Sequence, residues 1–226
     1  MSSPPSPTTA LAQRLNAALP QTQCTRCGYP DCQSYAQAMA EGSADINRCP
    51  PGGAQGIARL GSLLNRAALP LDTARGHEGP RALAVIDEAW CIGCTLCIKA
   101  CPVDCIVGAP KLMHTVIDAL CTGCELCVPV CPVDCISMPA ITEGRSGWDA
   151  WSQPQADEAQ ARYSFHQLRV ERDHRENNER LAAKAQAKLA DLGQHSQITD
   201  PDTLAAKRAV IEAALARSRA QRGTLP

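Results

Sequence analysis

Ten cysteines fall in two sixteen-residue runs, CIGCTLCIKACPVDCI at 91–106 and CTGCELCVPVCPVDCI at 121–136, identical at eleven of sixteen aligned positions. Each run contains C-x2-C-x2-C-x3-C-P, a spacing that wraps three thiolates around one corner of an iron–sulfur cubane and sends the fourth to a second cubane. Each of the four irons takes one thiolate, so each cubane needs four cysteines. In the crossed arrangement Cys91, Cys94 and Cys97 are completed by Cys131, while Cys121, Cys124 and Cys127 are completed by Cys101. Gly93 and Gly123 sit inside the tight loops, where a missing Cβ lets backbone amides turn toward sulfur. Such hydrogen bonds favour the reduced, more negative cluster. Pro102 and Pro132 turn the chain away just after the distant ligand. Two zinc sites are the competing chemistry, but zinc favours separated C-x2-C pairs that close one tetrahedron.

A further quartet, Cys24, Cys27, Cys32 and Cys49, is spaced C-x2-C-x4-C-x16-C. Four thiolates suffice for one more iron–sulfur cluster, and spacing alone leaves a four-thiolate zinc site or a two-iron cluster open. Cys105 and Cys135 then remain as equivalent members of the repeat. They are either alternative ligands or redox-active thiols, or else compact buried residues beside the clusters; the completed ligand count favours the second reading. No other constellation competes. Gly52, Gly53, Gly56 and Gly61 do not form a dinucleotide-binding fingerprint, so no nucleotide site is expected. No Ser/His/Asp or H-E-x-x-H arrangement occurs, and no catalytic residue is expected. His114 lies in a predicted strand and reads as a surface or packing residue. Trp90 reads as packing beside Cys91, and Asp104 and Asp134 as local turn residues.

The elements that must position these cysteines are short. Residues 9–19 predict an amphipathic helix stopped by Pro20, Tyr35 to Glu41 a second, and about Gln55 to Asn65 a third. Ala82 to Ile86 and Met113 to Ile117 predict strands entering the two cysteine loops, with Ile106–Val107 and Ile136–Ser137 leaving them. From Glu158 to Leu192 the chain is Ala-, Arg- and Glu-rich, and a final helix begins near Asp200 with Pro201 at its first position. Trp148 and Trp151 lie in the preceding linker, as a docking patch or a cover for the adjacent domain. The fold class is therefore α+β. It comprises a disordered start (1–10), a small helical cluster domain (11–66), a linker (67–80), a double-cluster domain (81–142), a second linker (143–157) and a C-terminal helical hairpin (158–226).

Composition narrows the function. Only seven residues are aromatic, so the small modules need staples other than a large apolar core. Residues 1–150 carry 10 Lys/Arg against 13 Asp/Glu, and bound clusters add further negative charge, which argues against nucleic acid. No signal-peptide pattern and no membrane-spanning run is present. Thiolates held by metal in a reducing cytoplasm are the expected state.

The run LPQTQCTRCGYPDCQSYAQAMAEGSADINRCPPGG resembles the four-iron domain of the B subunits of Rnf/Rsx electron-transport complexes, and residues 91–136 are similar to the double ferredoxin domain of that family. The resemblance covers about residues 11–140. It implies three [4Fe–4S] clusters, with Cys24, Cys27, Cys32 and Cys49 holding the first and the eight crossed ligands holding the other two. It further implies an electron relay, not an enzyme on its own, whose partners are redox proteins and the membrane subunits of an ion-translocating complex. Family members begin with a hydrophobic anchor, and this sequence reads as a soluble variant, cytoplasmic or peripheral on the cytoplasmic face of the inner membrane. Alternatives are a free ferredoxin serving one reductase or oxygenase, and a zinc-stapled interaction module.

Overall fold

The structure is a computed structural model that describes residues 5–194 and 196–223. It is a mixture of helices and very short antiparallel strands. Among the described residues no helix is long and apolar enough to cross a membrane.

Three helices build the N-terminal module: α1 (Pro7–Ala17), α2 (Cys32–Ala40) and α3 (Gly53–Leu64). The disorder expected for 1–10 gives way to helix at Pro7, because the Ser6 hydroxyl caps the Thr9 amide at 3.1 Å and proline occupies the first helical position. Residues 1–4 lie outside the described residues. Helix α2 starts three residues earlier than the sequence predicts, since the Asp31 carboxylate accepts from the Ser34 amide at 2.6 Å. That cap makes Cys32 a first-turn residue. Glu78, from the expected linker, accepts from the Ala54 amide at 2.8 Å and from the Ser146 hydroxyl at 2.9 Å, so this segment packs down at the start of α3. Leu15, Leu19, Tyr35, Met39, Ile46, Ile57 and Leu60 form one buried cluster with Cys27, Cys32 and Cys49.

The second module carries β1 (Val85–Ile86), the one-turn helix α4 (Leu96–Ala100), β2 (Ile106–Val107), β3 (Thr115–Val116) and β4 (Ile136–Ser137). Strand β1 pairs antiparallel with β4, and β2 pairs antiparallel with β3. Both ladders extend by one bond in the same way, Asp87 N–H to Cys135 O at 2.8 Å and Ile117 N–H to Cys105 O at 2.7 Å. The internal duplication of the sequence thus becomes a pseudo-two-fold arrangement. The strand that enters each cysteine loop pairs with the strand that leaves the other.

Helix α5 (Gln153–Ala190) begins five residues before the expected Glu158. Just ahead of it, Trp148 is 3 % exposed. Its indole Nε1–H donates to Ala18 O at 3.1 Å, and the Arg59 guanidinium lies 3.8 Å above its ring. Trp148 therefore covers the N-terminal module. Within α5, Arg162 donates to Val103 O and Asp104 O, and the Tyr163 hydroxyl donates to Asp31 Oδ2. The first turns of α5 bind both modules. Residues up to His166 form one compact unit, and 167–226 form a second. That second unit holds the remainder of α5 and α6 (Pro201–Gly223), whose N-terminus Asp200 caps at the Thr203 amide. Ala182, Leu192 and Leu215 are buried there.

Trp148→Ala removes a buried ring, a hydrogen bond and a stacked cation. It is expected to lower unfolding stability by about 3–5 kcal/mol. A urea titration followed by far-UV circular dichroism, with hydrogen exchange locating the first loss of protection in 7–64, checks this.

Candidate metal centres

The strand pairing explains how cysteines thirty residues apart meet. Pairing of β2 with β3 carries Cys101 and Cys105, just before β2, to the loop that follows β3 and begins at Cys121. Cys101, Cys105, Cys121, Cys124 and Cys127 line one hollow, whose remaining wall is mostly apolar: Ala84, Val103, Ile106 and Met138. Four of these five are the set the crossed spacing groups together. The fifth, Cys105, is one of the two cysteines left over.

Cys105 has a definite place in this hollow. Its Sγ lies 3.4 Å from Cys101 Sγ, and its own amide donates to Cys101 Sγ at 3.3 Å. Hydrogen bonds to Cys101 and Cys121, reinforced by burial, hold the Cys105 thiol protonated. That shared S–H in turn pulls both neighbours down to about 6. Desolvation pushes Cys124 up to about 12 and Cys127 up to about 11. The repeat reproduces the motif on the other side: Cys135 Sγ lies 3.5 Å from Cys131 Sγ. Burial, then its bond to Cys131, raises Cys135 to about 12. Burial acts upward on Cys131 as well, but the amides of Val133 and Cys135 and the Cys135 thiol together bring it below the usual value.

At the Cys91–Cys97 loop, burial raises Cys97, with the neighbouring Cys94 and Cys91 adding to the rise. Pairing of β1 with β4 brings Cys91 within electrostatic range of Cys135, beside Cys131. His114 takes the packing alternative of the surface or packing role its sequence position suggests, and it also contacts the sulfurs of this loop. It is 1 % exposed. Its backbone N–H donates to Cys91 Sγ at 3.4 Å and its ring Nδ1 stands 3.2 Å from Cys97 Sγ. A thiolate sulfur only accepts, so a ligating Cys97 requires the Nδ1–H tautomer. The ring Nε2 is buried without a hydrogen-bond partner. Gly108 leaves the space for the ring, since a Cβ there would collide with His114 Cδ2. Trp90, expected to pack near Cys91, is instead 70 % exposed. Ile92, Leu96, Leu112 and Met113 are exposed too, all in or beside this loop.

The tight loops behave as their glycines require. Gly93 and Gly123 both adopt φ +67°, and a Cβ at either would strike backbone, Leu112 O in one case and Ala82 O in the other. The amide of Gly123 reaches Cys121 sulfur. Asp104 and Asp134 take left-handed turn positions, φ 51° and 50°, which Asp tolerates better than most residues. Asp104 also reaches out of its turn, to His166 Nδ1 at 2.8 Å.

In the N-terminal module Cys24, Cys27, Cys32 and Cys49 converge. Desolvation raises Cys32 and Cys49 far above the ordinary thiol value, and the proximity of the other members of the quartet adds to the rise in both. A buried amide chain organises the loop ahead of them. The Cys32 amide donates to Gln23 Oε1 at 2.9 Å, Gln23 Nε2 to Gln21 Oε1 at 2.9 Å, and Gln21 Nε2 to Asn16 Oδ1 at 2.9 Å. Gln21, Gln23 and Thr25 all have positive φ. This network carries no sequence signal beyond a polar stretch after Pro20.

The donor set fits iron–sulfur ligation. Soft thiolates select such clusters, zinc or cuprous copper. Several buried thiolates are tolerable only around compensating positive charge. Amide donors aimed at sulfur surround all three groups.

Comparison with known proteins agrees with this chemistry. A family model described as a 4Fe-4S dicluster domain matches residues 84–138, and one described as a putative Fe-S cluster matches 19–51. The chain is 58% identical over 144 residues to the B subunit of the ion-translocating oxidoreductase complex of Azoarcus sp. (strain BH72), a match covering 64% of this chain and 78% of that protein. The protein of the same name from Thiobacillus denitrificans is 58% identical over 144 residues, covering 64% and 76%. That from Alkalilimnicola ehrlichii is 54% identical over 151 residues, covering 66% and 80%. No solved structure matches the chain.

His114→Leu keeps the volume but removes the ring donor to Cys97 sulfur. It is expected to lower the midpoint potential of the centre bound at the 91–97 loop, because a donor to sulfur favours the reduced state. The other centres are expected to be unchanged. Protein-film voltammetry on the anaerobic protein checks this, and an unchanged or raised potential would contradict the role assigned to the ring.

Proposed function

The chain belongs to the family of ion-translocating oxidoreductase complex B subunits, and from that membership we propose that it relays single electrons through three [4Fe–4S] clusters. Cys24, Cys27, Cys32 and Cys49 hold the first. Cys91, Cys94, Cys97 and Cys131 hold the second, and Cys101, Cys121, Cys124 and Cys127 the third. The bound clusters supply the one-electron chemistry.

The chain's own residues do four things. The cysteines ligate. The crossed strand pairs fix the distance between the two halves of each ferredoxin-type ligand set. Apolar walls such as Ala84, Val103 and Ile106 exclude water, and a drier, lower-dielectric site makes added negative charge harder to accept. Amides, the His114 ring and the Cys105 and Cys135 thiols donate toward ligand sulfur and act the opposite way.

The observation that carries this reading is the single hollow around which Cys101 joins Cys121, Cys124 and Cys127. A zinc staple is less well served, because zinc favours separated C-x2-C pairs that close one tetrahedron. The relatives' names make them subunits of an ion-translocating oxidoreductase complex. By extension this chain's partners are redox proteins and the membrane-embedded subunits of such a complex, with the chain held peripherally on the cytoplasmic face.

Cys101→Ser tests the ligand sets. In the reduced anaerobic variant, electron paramagnetic resonance is expected to show the centre of Cys121, Cys124 and Cys127 lost or altered, with the other two intact. Selective loss of the centre of Cys91, Cys94 and Cys97 would contradict the crossing. Acid provides a second check. Without metal the Cys124 and Cys127 thiols stand at about 12 and about 11, above the ordinary thiol value, so protons compete with iron for both sulfurs and compete harder as pH falls. Anaerobic bleaching of the cluster absorbance is expected to be faster at about pH 5 than at about pH 8, and equal rates would contradict this.

A further inference from the structure

We propose that the three centres form a line of fixed order, in which the centre of Cys24, Cys27, Cys32 and Cys49 adjoins that of Cys101, Cys121, Cys124 and Cys127, with Arg26 and Glu125 clamping the junction. The centre of Cys91, Cys94, Cys97 and Cys131 then lies at the far end. This order rests on the three-cluster reading above.

The junction is built from the ligand loops themselves. Arg26 is a spacer residue between Cys24 and Cys27, and Glu125 is a spacer between Cys124 and Cys127. Their Nη2 and Oε2 atoms are 2.6 Å apart. Thr122, next to Cys121, donates its hydroxyl to Thr22 O at 3.0 Å in a buried contact. One cleft is lined from both sides by Thr22, Arg26, Thr122, Gly123 and Glu125. Two independent contacts therefore tie the loop of the first centre to the 121–127 loop.

The internal repeat makes the choice of loop informative. The two copies differ at only five of sixteen positions. Two of those five are the junction residues: Thr122 aligns with Ile92, and Glu125 aligns with Thr95. In the 91–97 loop Ile92 has no group to donate to Thr22, and the neutral Thr95 cannot form an ion pair with Arg26. Ile92 is instead exposed, as are Trp90 and Leu96 around it. One copy has acquired a polar junction and the other an exposed apolar surface. Arg26 and Glu125 are themselves partly exposed, so their pair contributes little to overall stability and serves to fix how the two loops meet.

Electron tunnelling falls steeply with distance, so the loop that touches the N-terminal module sets which centre its electrons reach. Each transfer oxidises one centre by one electron and reduces its neighbour by one, with no bond made or broken. The external donor and acceptor are one-electron redox proteins.

The test uses magnetic coupling between reduced clusters, which broadens their resonance signals only when they are close. The fully reduced, anaerobic full-length chain is compared with Cys124→Ala and Cys94→Ala, each lacking one ferredoxin-type centre. The N-terminal signal is expected to lose its broadening in Cys124→Ala and to keep it in Cys94→Ala; the reverse pattern would overturn the order. Arg26→Glu is expected to reduce the broadening at unchanged iron content, and adding Glu125→Arg to restore it. No change in the single variant, or no rescue in the double one, would overturn the clamp, and this arm stands even where the cysteine variants fail to accumulate. Iron and sulfide content is measured on every sample. A wild-type chain short of three clusters refutes the three-cluster reading and this order with it, whereas full content with the wrong coupling pattern refutes the order alone.

Discussion

Sulfur that must be both buried and anionic is the constraint on which the rest of this structure depends. In the folded chain alone, desolvation holds Cys32, Cys49, Cys124 and Cys127 protonated. A low-dielectric interior cannot take several thiolates together without compensating positive charge. The polypeptide provides part of that compensation through amides that turn toward sulfur, and iron provides the rest on the reading proposed above. A chain with seven aromatic residues can then dispense with a large apolar core, because binding free energy at the thiolates becomes folding free energy.

The second feature follows from the first. On the proposed ligand sets, each ferredoxin-type centre draws on both halves of the duplicated sequence and staples them together, and the pairing of β1 with β4 and of β2 with β3 crosses the halves in the same sense. Each strand is two residues long, too short to be stable alone. The ladders position the loops, and the loops in turn depend on what the thiolates hold. Trp148 and the first turns of α5 close the assembly from outside, joining Ala18, Asp31 and Val103 by hydrogen bonds.

Much of this was legible in the sequence, and for a physical reason. Ligand spacing reflects the size of the group being held, so the cysteine runs alone group Cys101 with Cys121, Cys124 and Cys127, which line one hollow in the fold. Ile106–Val107 and Ile136–Ser137 were readable because alternation and position in the repeat coincide there. Less was legible where the decisive interaction is long-range or depends on a special backbone. The polar stretch Gln21 to Gln23 looks like an ordinary loop, and its buried amide chain runs through alternate residues, Gln21 and Gln23, held at positive φ. His114 is a lone histidine in a short alternating segment, and only the fold brings it against Cys91 and Cys97. Arg26 and Glu125 carry no periodicity that could announce their pairing. Helix α4 is a single turn imposed by its loop. The start of α2 moved to Cys32 because a cap at Asp31 outweighs the weak propensities around it. Phe165 and Leu168, two of the few large apolar residues in α5, are exposed.

The central claim is that twelve cysteine sulfurs enclose three iron–sulfur cubes in one polypeptide. Native mass spectrometry of the anaerobically purified chain addresses it most directly, because it weighs the intact protein with everything it holds. The expected spectrum has one dominant species, heavier than the bare chain by three four-iron, four-sulfide units. A dominant species heavier by zinc ions alone, or by fewer than three such units under conditions that preserve native clusters, would contradict the account.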